Sequence, residues 1–236
     1  MNEVSRIKLV EKKLPPGSPP LRHGQRLTQA EFHRRYEAYP NDVKFELIGG
    51  IVYLAPPVPW SHGQYTVELG AAFSLYDAST PGVEAGSNAT VILGKESEPQ
   101  PDQALRILPE YGGQSRLNEG EYVEGAPELL AEVAYNSRDL DLNQKRDDYQ
   151  RAGVVEYLVL CVAEQALHWF DFRAGGPLRP NSRGVWRSKI FPGLWLDGPA
   201  LLARDSARLI AGVQRGLASR EHAAFIKRLQ AAHRRR

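Results

Sequence analysis

The sequence predicts a mixed α/β domain, and three observations carry that reading. Strand-sized apolar runs recur from Phe45 to Phe191, and the first two are joined by Gly49-Gly50 in the manner of a hairpin. Amphipathic helical stretches interrupt those runs, but without the strict β-α-β alternation of a doubly wound fold.

In chain order, residues 1–25 include Pro15-Pro16-Gly17-Ser18-Pro19-Pro20, too rich in proline for helix or sheet, and read as an arm. Thr28-x-x-Glu31 is a capping-box pattern that opens a helix to about Tyr39, with Pro40-Asn41-Asp42 as its stop. Residues 45–54 form the expected hairpin. Ser61-x-x-Gln64 is a second capping pattern, after which Tyr65, Leu69, Ala72, Phe73 and Tyr76 trace one helical face until Pro81-Gly82. Strands are expected at 89–93, 102–108 and 128–134, with a polar, glycine-rich loop at 109–125 before the last. A helix over about 139–151, closed by Gly153, precedes strands at 155–162 and 166–172 and a third near 184–191. Leu209, Ile210, Val213 and Leu217, then Phe225, Ile226 and Leu229, mark two final helices. The organisation expected is an arm over 1–25, one domain over 26–200, and a basic helical C-terminal extension over 201–236.

Composition narrows the class. A chain of 236 residues with 42% hydrophobic and 25% charged residues is ordinary for a globular protein with a sizeable core. Its longest apolar runs are strand-sized, and its first residues lack a secretory pattern, so neither membrane insertion nor export is expected. The one cysteine, Cys161, lies in EYLVLCV and reads as a buried structural thiol of a cytoplasmic protein. No G-x-G-x-x-G or Walker A pattern supports a nucleotide cofactor. Residues 201–236 hold nine Lys/Arg against two Asp/Glu, a surplus of +7, which leaves −5 of the total +2 for residues 1–200. That tail suits a phosphate-bearing partner or a solubilising helix equally well.

The chemistry is concentrated in two strands and a helix. Glu132 interrupts an apolar run, and a lone desolvated carboxylate there is costly unless paired or bound to a cation. Its expected partner is Asp102, in QPDQALRI. Strand alternation puts Asp102 on the face of Ala104 and Glu132 on that of Leu130 and Ala134. If the strands are neighbours with the acids level, their Cβ atoms lie ~5 Å apart, near enough to share a cation. All-oxygen ligation with open water positions suits Mg2+, with Mn2+ as a substitute. Lys145, on the next helix, would position or deprotonate a water or stabilise a pentavalent phosphate. The plainer readings are a buried structural acid pair and a surface lysine. His62 reads as a capping or surface residue, Tyr149 as packing on the sheet, and the four tryptophans as core or edge packing rather than a stacking platform.

Taken in order, FELIGG at 45–50, SHG at 61–63, QPD at 100–102 and EGAPELLAEVA at 124–134 are joined by DLNQK at 141–145, Tyr149, RAGVVEYLV at 151–159 and FPGLWLD at 191–197. This series, spanning roughly 28–203, resembles the bacterial Uma-type restriction-endonuclease family, formerly a domain of unknown function, within the PD-(D/E)XK nuclease superfamily. The resemblance implies a restriction-endonuclease-like mixed β-sheet flanked by helices, and magnesium-dependent hydrolysis of DNA. It makes Asp102 and Glu132 the metal-binding acids and adds Glu46 to the metal shell. It also gives Lys145 the role of the superfamily lysine, since position 134 is alanine. Gly49-Gly50-Ile51 and Tyr135-Asn136-Ser137 depart from the family's Asp-Gly-Glu and Ser-Pro-Ser. A double-strand cut would need two copies, so a homodimer is expected. The alternative is a non-enzymatic nucleic-acid-binding or protein-interaction module that keeps the fold.

Overall fold

The computed structural model describes residues 19–39 and 43–235; the expected helix stop at 40–42 and most of the proline-rich arm lie outside them. Thr28 caps helix α1 (Gln29–Tyr36) by accepting from the Glu31 N–H at 3.4 Å. Strands β1 (Phe45–Ile48) and β2 (Ile51–Leu54) form the hairpin, with Ile48 opposite Ile51. Gly49 and Gly50 have φ of 56° and 77°, the pair of left-handed conformations that a two-residue turn of matching twist demands. Phe45 and Leu47 bury against Phe32 and Leu21, so alternation turns Glu46 to the other side.

Helix α2 (Trp60–Ala78) starts one residue before the expected cap. Pro59 occupies the cap position with φ −73° and ψ 161°, and no side-chain hydrogen bond caps the helix. The proline's fixed φ sets the entry, and Ser61 falls inside the first turn.

The main sheet has six strands in the order β11-β10-β9-β8-β5-β3. They are β3 (Val83–Gly86), β5 (Gln103–Ile107), β8 (Leu129–Ala134), β9 (Glu156–Cys161), β10 (Ala166–Asp171) and β11 (Gly176–Pro177). Within this sheet β8 and β9 are the one parallel pair; the helix between them makes the crossover such a pair requires. β3 was not expected, because VEAG offers a single strong strand former. The strand expected at 89–93 shrinks to β4 (Val91–Ile92), which pairs with β7 (Val123–Glu124); β6 (Arg116–Leu117) completes that three-stranded sheet inside the predicted loop. The strand near 184–191 is β12 (Val185–Arg187), paired with β13 (Trp195–Asp197) outside the main sheet.

The helix expected over 139–151 is two structures in series. A π-helix (Leu140–Lys145) leads into α3 (Arg146–Ala152), which ends at Gly153 with φ 96°. Three further helices follow: α4 (Gly198–Ala203), α5 (Ser206–Leu217) and α6 (Arg220–His233).

The sheet buries both faces. On one, Leu105, Leu129, Val133 and Leu158 pack with Phe73 and Tyr76 of α2 and with Leu201, Val213, Phe225 and Leu229. On the other, Leu130, Ala134 and Val159 pack with Tyr149, Tyr157 and Cys161, whose thiol burial pushes up to about 11. The C-terminal helices thus share the core of the sheet. No helix among the described residues is long and apolar enough to cross a membrane.

Candidate active site

The site forms where β5 and β8 meet the hairpin and the π-helix. β5 and β8 are antiparallel with Gln103 opposite Ala131 and Ala104 opposite Leu130. Carrying that register one residue further sets Asp102 opposite Glu132, as the alternation argument required. Asp102 Oδ2 accepts from the Val133 N–H at 2.7 Å, which ties it to the partner strand. The hairpin reaches the same point because Glu98 bridges to Leu47, and the Gln100 N–H then donates to Glu46 Oε1 at 2.8 Å.

Lys145 closes the cluster. Its Nζ lies 3.0 Å from Glu132 Oε1, 3.0 Å from Glu46 Oε2 and 3.8 Å from Asp141 Oδ1. Its side chain is only 5% exposed. Tyr149, one turn further along the helix, donates its hydroxyl to Glu132 Oε1 at 2.8 Å. Structure therefore brings together all four residues singled out in the sequence: Asp102, Glu132, Lys145 and Glu46.

Three further side chains belong to the cluster although sequence reasoning assigns them a lesser part or none. Tyr149 is wholly buried and also hydrogen-bonded to a site acid, so packing is half its role. His62 is no surface cap, since its Nε2 stands 3.3 Å from Asp102 Oδ2. Asp141, inside DLNQK, is not singled out by sequence reasoning. It is buried, its Oδ2 accepts from Ser137 at 2.6 Å, and its Oδ1 has no hydrogen-bond partner. The i, i+4 spacing from Asp141 to Lys145 was the available signal, masked by its resemblance to a surface helix pair.

Among the described residues the Lys145 ammonium stands within 4 Å of three carboxylates, those of Glu46, Glu132 and Asp141, and the ionisation of the group follows. Burial, reinforced by Asp141, Asp102 and Glu46, pushes Glu132 well above its ordinary range, against the pull of Lys145. Asp141 moves the same way for the same first reason. Burial alone would lower Lys145, but Glu132, Glu46 and Asp141 outweigh it and hold the ammonium well above its usual value. Lys145 is therefore charged throughout the neutral range.

The donor set is all oxygen, the chemistry of a hard divalent cation. Among the described residues no three His, Cys, Asp or Glu side chains are gathered into a ready cage for a metal. Magnesium does not require one: it commonly keeps several waters and takes one or two protein carboxylates. The carboxylates in excess of Lys145 and the Asp141 oxygen that lacks a hydrogen-bond partner both fit an added cation.

Comparison with known proteins bears on the fold and the family. A solved structure from Anabaena variabilis, described as a "putative nuclease belonging to DUF820", superposes with a TM-score of 0.58 at 14% identity, covering 75% of this chain and 98% of that one. At that identity the likeness speaks for the fold. No curated protein matches the chain by sequence. The sequence profile of the Uma2 family, described as "Putative restriction endonuclease", matches residues 30–198, which include every residue of the cluster. The chain belongs to the Uma2 restriction-endonuclease family.

Proposed function

We propose that the protein is a magnesium-dependent endonuclease that hydrolyses DNA phosphodiester bonds, working as a homodimer. The observation that carries this is the convergence of Asp102, Glu132 and Lys145 at the end of the β5–β8 pair. Asp102 and Glu132 would hold Mg2+, or Mn2+ in its place, with Glu46 beside them. The bound cation supplies an activated water and neutralises charge on the phosphate. Asp102 is oriented by the Val133 N–H and Glu132 by the Tyr149 hydroxyl, so both acids are aimed before substrate arrives. Lys145 is held protonated and is thus a poor proton acceptor. Its role is to stabilise negative charge building on the phosphate oxygens. Glu46 fixes the ammonium from the hairpin side.

Nicking and linearisation of supercoiled plasmid in Mg2+ or Mn2+ test this reading. Asp102→Asn and Glu132→Gln keep the hydrogen-bonding oxygens and are expected to lose at least ~100-fold in rate, the scale of a lost electrostatic or acid–base contribution. Their thermal melts should stay close to wild type. A wild-type protein that cuts no nucleic acid in either metal, with both variants binding Mn2+ as tightly as wild type does, would overturn the proposal in favour of a non-catalytic binding module.

A further inference from the structure

The surface of α2 facing away from the site exposes large apolar side chains. From Trp60 to Ala78 the helix contains no lysine or arginine, and its acids are only Glu68 and Asp77. Asp77 is engaged within the chain, accepting from the Ala85 N–H at 3.1 Å. Trp60 is 83% exposed and Val67 70%, with Val58 just ahead of the helix also exposed. These are three of the five large apolar side chains the described residues leave in solvent. Trp60 and Val67 lie seven residues apart, on one helical face, with a groove of about 560 Å³ beside them lined also by Gly63, Gln64, Glu68 and Arg204.

Gly63 sharpens the point. Glycine is a poor helix former, and Gly70 on the same helix has a reason to be glycine, since a Cβ there would stand 3.0 Å from Gln103 Nε2. A Cβ at Gly63 would meet nothing within 4 Å, so the fold does not require its absence. The gap it leaves is toward the solvent.

We infer that this face is the interface through which two copies of the chain associate. A projecting indole and a groove lie on the same surface, so a two-fold axis lets each copy's Trp60 enter the other's groove. The charged groups on the rim are of opposite sign, Arg204 and Glu68, whose Oε1 also accepts from the Ser206 hydroxyl, and they match when the surface meets itself. A polyanion finds a single guanidinium there and a carboxylate next to it. His62 projects from the inward side of the helix, so a dimer formed this way leaves both acid clusters open. The helix is about 28 Å long and ~10 Å wide, so its face alone offers ~280 Å² per copy, below the ~800 Å² of a standard interface and in the range of weak, transient contacts. Association is therefore expected to be weak and concentration-dependent.

Sedimentation velocity of the full chain from about 1 to 100 μM tests the inference. Wild type should pass from monomer to dimer across that range. Trp60→Ala and Gly63→Arg should each weaken association at least tenfold while circular dichroism and melting stay unchanged, because Trp60 is exposed and a Cβ at Gly63 meets nothing within 4 Å. Asp102→Asn should dimerise like wild type, so loss of the nuclease reading would leave this one standing. A wild type that is monomeric throughout, or a dimer indifferent to both variants, overturns it. So does a monomer that loses DNA affinity in both variants, which would assign the face to nucleic acid instead.

Discussion

Lys145 is the residue on which the account turns, because among the described residues it supplies the one ammonium beside Glu46, Glu132 and Asp141. Removing one partner of a buried charge cluster leaves the others uncompensated, so Lys145→Met should cost about 3–5 kcal/mol near neutrality. The pH dependence has a definite sign. Glu132 and Asp141 are raised in the native state from ordinary values of 4.5 and 3.8, so the native chain binds more protons than the unfolded one. Stability contributed by these groups therefore falls as pH rises past those values. The deficit of Lys145→Met should shrink on going from neutral pH toward 4.5, read by urea melts at several pH values. A deficit that does not change with pH would mean the acids are compensated in some other way. At this scale much was legible. An acid inside an apolar run and another after a proline announced themselves, whereas Asp141 looked like any helix-surface aspartate until the backbone turned it inward.

At the scale of elements, the π-helix is what sequence patterning could not supply. Apolar spacing in LDLNQKRDDYQ reports a helix, but not that its first six residues form a wider turn. Such turns are rare and gather at functional sites, and this one carries Asp141 and Lys145 at its two ends of the cluster. The hairpin was the opposite case, since Gly-Gly between apolar runs specifies its own geometry. Gly49→Ala would meet only ordinary contacts, with Arg151 Nη2 at 3.5 Å, so its cost is the left-handed backbone alone. Calorimetry should show a loss of about 1–2 kcal/mol, or roughly 2–8 °C in Tm for a chain of this size. An unchanged Tm would show that the turn tolerates a Cβ and does not hold Glu46 in place. Short β3 and β13 escaped notice because runs of three or four residues carry too little alternation to separate from loop.

For the whole molecule, the C-terminal residues bear on stability before they bear on partners. Leu201, Leu209, Val213, Phe225 and Leu229 lie in the same apolar cluster as the sheet. Tyr111, at the end of β5 remote from Asp102, stacks on His233 at 4.5 Å. A chain ending at residue 200 should therefore lose its cooperative melt, where a detachable tail would lower only nucleic-acid affinity. An unaltered melting curve for that truncation would contradict this. Helix positions in this region could be read from spacing, but the surface they cover could not, because their basic composition pointed outward. The tryptophans show the same limit: Trp169 is buried as expected and bonded to Glu156 at 3.0 Å, while Trp60 stands in solvent.

The most direct measurement is the anomalous scattering of manganese soaked into crystals of the protein. The account predicts one peak in contact with carboxylate oxygens of both Asp102 and Glu132, with Lys145 Nζ within reach of the same pocket. A peak elsewhere, or none at a manganese concentration that supports turnover, would contradict it.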